Sequence, residues 1–85
     1  MKNSALILFY LSCHLYASTE RIMTYNLLNF LGNDSREAEF ITIIQYTEPD
    51  IIVAQEVVGQ TGYSRFKTNV LDISDPNEWS AAPFI

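Results

Sequence analysis

The apolar positions of this chain fall into blocks with different spacings, separated by turn residues. The run Arg21-Ile22-Met23-Thr24-Tyr25-Asn26-Leu27-Leu28 is strand-like, with a polar Asn26 late in it. Residues 30–35 carry Gly32 and polar side chains and read as a turn. A helix follows, because Asp34 and Glu37 have capping-box spacing and Phe40, Ile43 and Ile44 recur at i, i+3 and i+4. Pro49 ends that helix and biases Glu48 toward an extended conformation. Residues 51–57, Ile51-Ile52-Val53-Ala54-Gln55-Glu56-Val57, are apolar almost without alternation at first, the pattern of a strand covered on both faces. The order strand, helix, strand predicts a parallel pair with a right-handed crossover. Beyond Gly59 and Gly62 a second helix is expected over 63–72, with Tyr63, Phe66 and Val70 on one face. Asp75-Pro76-Asn77 marks a turn, and Trp79 opens what reads as another strand.

The block nearest the N-terminus is different in kind. Lys2 precedes an apolar stretch from Ala5 to Cys13, and the small residue Ala17 precedes polar Ser18-Thr19-Glu20. That sequence of regions is the signature of a secretory signal peptide over 1–17, too short to anchor the chain across a bilayer. It predicts a secreted or periplasmic protein with no stable membrane span. A lipoprotein signal ending in Cys13 ranks second, since Tyr10 fits that pattern poorly. The structural alternative is that the same residues form a buried first helix or strand.

Cleavage after Ala17 leaves 68 of the 85 residues, a marginal core for an α/β sheet. It also removes the single cysteine, so disulfides cannot support the fold. Arg21, Arg36, Arg65 and Lys67 then face ten acids, a net charge of −6. Such a surface argues against nucleic-acid binding through a basic patch, although not against a phosphoester handled through a metal ion.

The chemistry concentrates at Glu56. A carboxylate near the end of an apolar strand must meet a cation, a set of donors or solvent, because burying it unpaired is too costly. If the two strands are parallel, Asn26 and Glu56 lie on the same edge of the sheet, where open α/β sheets place their sites. Taken alone, these residues also have plain readings. Glu56 forms an ordinary ion pair with Arg65 or Lys67, and Asn26 ends a strand.

Thr24-Tyr25-Asn26 followed by Pro49-Asp50-Ile51-Ile52-Val53-Ala54-Gln55-Glu56-Val57 resembles the opening of the endonuclease/exonuclease/phosphatase, or DNase I-like, superfamily. The likeness covers residues 21–57 well and 58–85 loosely. It implies the opening β-α-β-α segment of a four-layer α/β/β/α sandwich, so that residues 18–85 are the N-terminal part of such a domain. It implies that Glu56 binds a catalytic Mg²⁺ or Mn²⁺, that Asn26 orients this carboxylate or contacts metal and phosphate, and that Gln55 is a supporting hydrogen-bond partner. The substrate class it implies is a phosphoester: nucleic acid, phospholipid or inositol phosphate.

The catalytic histidine, the Asp-x-Asn element and the late Ser-Asp-His of that family have no counterparts. His14 lies in the expected signal peptide, and Ser74-Asp75-Pro76 comes too early and ends in proline. The expectation is therefore half a metal site, inactive by itself. The competing expectation is a non-catalytic secreted βαβ remnant that binds or assembles with a partner, or a truncated product with no role.

Overall fold

A computed structural model describes residues 4–11, 20–32 and 35–83 of the chain. Cys13, His14 and the expected cleavage point after Ala17 lie outside the described residues, as does the expected cap Asp34.

The chain forms a mixed four-stranded sheet with helices on one face. Strands β1 (Ser4–Leu11), β2 (Ile22–Phe30), β3 (Ile51–Val58) and β4 (Trp79–Ala81) lie in the spatial order β2-β3-β1-β4. Helix α1 (Arg36–Thr47) connects β2 to β3. Helix α2 (Gly59–Phe66) leaves β3 directly and continues through a π-helical turn at Lys67–Leu71 into a last α-turn at Asp72–Ser74. β2 and β3 are parallel, as the β–α–β pattern predicts, in the register Ile22↔Ile51 to Asn26↔Gln55.

Residues 4–11 form an inner strand, antiparallel to β3 on one side and to β4 on the other. This is the structural alternative for the N-terminal block. Ile7 and Phe9 turn into the core, where Phe9 meets Phe66 at 5.3 Å between ring centroids.

One core holds the two layers together. Phe66 meets Phe30 and Phe40 edge-on at 5.8 Å each, and Phe40 meets Tyr25 at 5.6 Å. Tilted aromatic pairs of this kind add about 0.5–1.5 kcal/mol each to the burial of the rings. Val70 and Leu71 are fully buried beside them, and Trp79 is nearly so. The sequence expectation that strand 51–57 is covered on both faces is met on one face only. Ile52 and Ala54 are buried beneath the helices, whereas Ile51 and Val53 are half-exposed on the other side.

The helix boundaries have local causes. α1 stops where Glu48 takes a left-handed conformation, φ 50°, and its N–H donates to the Ile44 carbonyl at 2.9 Å. This differs from the extended Glu48 expected before a proline; closing a helix-end carbonyl compensates the backbone. The Arg21 guanidinium donates to a second such carbonyl, that of Thr47. The second helix begins at Gly59 rather than at residue 63, because Gly59 supplies φ 65° at the strand exit. Gly62 is needed for close approach, since a Cβ there would lie 2.4 Å from the Phe30 carbonyl oxygen.

Candidate functional site

The parallel register ends at Asn26↔Gln55 and resumes only at Phe30↔Val57. Leu27, Leu28 and Asn29 of β2 are therefore set against Glu56 alone. On its other side β3 carries Gln55 and Glu56 against Leu6, between the pairs Ile7↔Ala54 and Ala5↔Val57. Glu56 is thus a bulged residue toward both neighbouring strands, and bulges re-aim side chains at sheet rims. The backbone accommodates this in the left-handed region: Glu56 has φ 61°, Leu28 51° and Asn29 60°. For residues with a Cβ such conformations cost about 1–3 kcal/mol each.

The bulge brings two side chains together. Asn26 Nδ2 donates to Glu56 Oε2 at 3.1 Å. Asn26 Oδ1 accepts from the Leu28 N–H at 2.9 Å, which fixes which end of the amide faces the carboxylate. Asn26 is exposed and Glu56 half-buried, so the carboxylate is met by one donor and by solvent. Both site residues expected from the sequence are therefore in direct contact. In this arrangement Asn26 offers Glu56 an N–H, the geometry of an orienting residue. Gln55 stands in register beside Asn26, and its side chain makes no hydrogen bond among the described residues.

The plain ion-pair reading of Glu56 has less support. Lys67 Nζ is held by both oxygens of Asp72, at 2.8 and 3.0 Å. The Arg65 stem packs against Gly32, with its Cδ 2.4 Å from where a Cβ would stand.

One contributor was not legible beforehand. Arg36, at the first position of α1, donates through Nη1 to the Leu27 carbonyl at 2.9 Å and the Leu28 carbonyl at 3.2 Å. Its guanidinium lies 5.9 Å from the Phe30 ring centroid and 5.6 Å from that of Phe40. It satisfies carbonyls that the bulge removes from the β2–β3 ladder, and its charge is held on aromatic faces. The available signal was a cation one helical turn before Phe40, which has many other meanings.

Chemically, the pair presents an oriented carboxylate at a sheet rim. Magnesium takes one or two protein carboxylates and keeps most of its shell as water and substrate oxygen. A single oriented carboxylate fits that donor chemistry as a water-rich, weak hold. Among the described residues no group of three His, Cys, Asp or Glu side chains converges on one point. Comparison with protein-family models, with curated proteins and with solved structures finds no match to this chain. Among the described residues no helix is long and apolar enough to cross a membrane.

Proposed function

We propose that this chain is the N-terminal part of an exported, divalent-metal-dependent phosphoesterase of the DNase I-like kind. One observation carries the reading: Asn26 and Glu56, the two residues on which the family resemblance rests, meet at 3.1 Å on a bulged, left-handed rim. Backbone strain held at a rim supports a functional role for the residue that bears it. Glu56 would hold Mg²⁺ or Mn²⁺, and Asn26 would orient its carboxylate. When bound, the metal supplies neutralisation of charge developing on a phosphoester, whether of nucleic acid, phospholipid or inositol phosphate. On this reading the activation of water belongs to the parent domain, and the 85-residue chain would hold metal without turnover. The four-layer sandwich belongs to the same proposal, in which the sheet and its helices would be two of the four layers.

Residues 1–17 would act as the export signal of the nascent chain, toward the periplasm or the outside. A chain that retains them uses 4–11 as β1, and a processed chain lacks that strand. The intact mass of exported protein separates these: a chain beginning at Met1 would refute processing.

Mn²⁺ is a direct probe of the site, read by its paramagnetic broadening of side-chain amide signals. Asn26→Ala should weaken binding by about tenfold, the effect of removing an orienting partner. Glu56→Gln should abolish the broadening at the rim. Equal Mn²⁺ binding by wild type and Glu56→Gln would refute the assignment of Glu56, and phosphodiesterase activity in the purified chain would refute the claim that it is inactive alone. The second reading, a non-catalytic assembly piece, is favoured by the uncovered face of the sheet.

A further inference from the structure

The peptide group between Leu27 and Leu28 is gripped at both of its polar ends. Its carbonyl accepts from Arg36 Nη1 at 2.9 Å, and its N–H donates to Asn26 Oδ1 at 2.9 Å. Asn26 Nδ2 in turn donates to Glu56 Oε2 at 3.1 Å. Each link lies within the ordinary N–H···O range. A trans peptide points its C=O and N–H in opposite directions, so the series passes straight through it. A cation, two amide groups joined donor to acceptor, and a carboxylate therefore stand in one row.

We propose that Arg36 is a positioning residue for Glu56, acting through the Leu27–Leu28 peptide and the Asn26 amide. An amide whose oxygen accepts from a cation is a better donor at its nitrogen, and bonds in series strengthen one another by roughly 10–30% each. Arg36 polarises the peptide, the peptide polarises Asn26, and the N–H aimed at Glu56 gains from both. The two ends of the row, at guanidinium and carboxylate, are charge-assisted and so the stronger kind of bond. Among the described residues Glu56 takes its hydrogen bond from Asn26, so the guanidinium meets the carboxylate through these amides rather than directly.

The place of Arg36 in the fold supports this role over a helix-stabilising one. It is the first residue of α1, where the helix presents its positive end and a cation is unfavourable. Glu37 and Glu39 in the same turn carry the favoured sign. A second bond from the same nitrogen, to the Leu28 carbonyl at 3.2 Å, holds the residue whose φ is 51°. The Phe30 and Phe40 rings fix the guanidinium from the core side, so the anchor of the row does not drift with the rim. For its metal readout the inference rests on the assignment of Mg²⁺ or Mn²⁺ to Glu56. For the geometry of the rim it does not.

Nuclear magnetic resonance of the full 85-residue chain without metal tests the row first. The Asn26 Nδ2 proton facing Glu56 should lie downfield, and Arg36→Gln should move it back toward the position of an unbonded amide. Arg36→Lys, which keeps a charged donor, should restore part of that shift. Unmoved methyl signals of Val70 and Leu71 verify the core of each variant. Mn²⁺ binding then supplies a sign. Removing a nearby cation should tighten Mn²⁺ binding through space. Removing a positioning residue should weaken it, by up to the about tenfold expected of Asn26→Ala. In the double variant the loss due to Arg36→Gln should vanish, because Asn26→Ala has already cut the path. Glu56→Gln reads the row from the other end with Arg36 intact, and the Leu28 N–H should then exchange faster with solvent.

An Asn26 signal indifferent to Arg36→Gln overturns the proposal, as does Mn²⁺ binding that is unchanged or tighter in that variant. Leu28 exchange indifferent to Glu56→Gln overturns it even if Arg36→Gln does not fold. Wild type without Mn²⁺ broadening at the rim refutes the metal assignment instead, and the metal-free signals still decide the role of Arg36.

Discussion

The two ends of the β2–β3 pair are built in opposite ways. At the starting end the ladder is regular, and Arg21 fastens it. The Arg21 N–H donates to Asp50 Oδ2 at 2.8 Å, the Arg21 carbonyl accepts from the N–H groups of Asp50 and Ile51, and the Arg21 side chain reaches Thr47 and Glu48. At the finishing end three residues of β2 face one of β3, and Leu28, Asn29 and Glu56 are all left-handed. Its carbonyls turn to Arg36 instead of to a neighbouring strand. The contrast shows where this fold spends stability: the regular end holds the helix and strands in place, and the irregular end aims Asn26 at Glu56. A rim that only closed the sheet would have no need of three strained residues.

The largest test of that contrast is Gly62→Ala. Helix α2 lies so close to the finishing end that the new Cβ would meet the Phe30 carbonyl, a backbone atom that cannot swing aside. Overpacking of this kind costs about 1–3 kcal/mol, and the immovable neighbour places it toward the upper figure. Chemical denaturation should show that loss, and a neutral result would mean the bulge is loose enough to yield. A smaller and sharper test uses adjacent residues. Glu56→Gly and Glu56→Ala both delete the carboxylate, but only glycine relieves the left-handed backbone. Glu56→Gly should therefore be the more stable of the two by about 1 kcal/mol. At Gln55, in register with Asn26 of β2 and outside the left-handed region, the order should reverse, with glycine below alanine by about 0.5–1 kcal/mol. The same order at both positions would remove the strain from the picture.

The regular end was legible in the sequence and the irregular end was not. The strand-like run 21–28 and the apolar run at 51–54 mark two strands, the stripe Phe40, Ile43 and Ile44 marks the helix between them, and that helical crossover predicts a parallel pair. Asn26 and Glu56 could be placed on one edge by that logic alone. What escaped is long-range or backbone-specific. Leucine has no propensity for φ 51°, so nothing at Leu28 announced a bulge. Residues 4–11 carry one pattern, a continuous apolar run, that serves equally as an export signal or as an inner strand, and only their pairing with β3 and β4 shows the second use. Arg36 acts through two carbonyls of a bulge, and a bulge that cannot be anticipated hides its partners.

Tyr25 reports the smallest effect and links the two ends, because it lies on the covered face one residue before Asn26, beneath α1. Burial raises its phenol above the ordinary value of 10.0; the Glu39 carboxylate adds to the rise and the Arg36 guanidinium opposes it. The folded chain therefore keeps this proton to higher pH than the unfolded chain does. The stability it contributes is complete below about pH 10, the unfolded value, and is lost as pH rises through the raised folded value. Thermal melts should thus fall on the alkaline side of pH 10, and Tyr25→Phe should flatten part of that fall. Two further variants separate the causes by tyrosinate absorbance. Glu39→Gln should bring the Tyr25 titration back toward 10, and Arg36→Gln should drive it further up. If Arg36→Gln instead left the titration unmoved, its charge over the Phe30 and Phe40 rings would not reach Tyr25, and its role at the finishing end would reduce to those ring contacts and the two hydrogen bonds it gives the bulge.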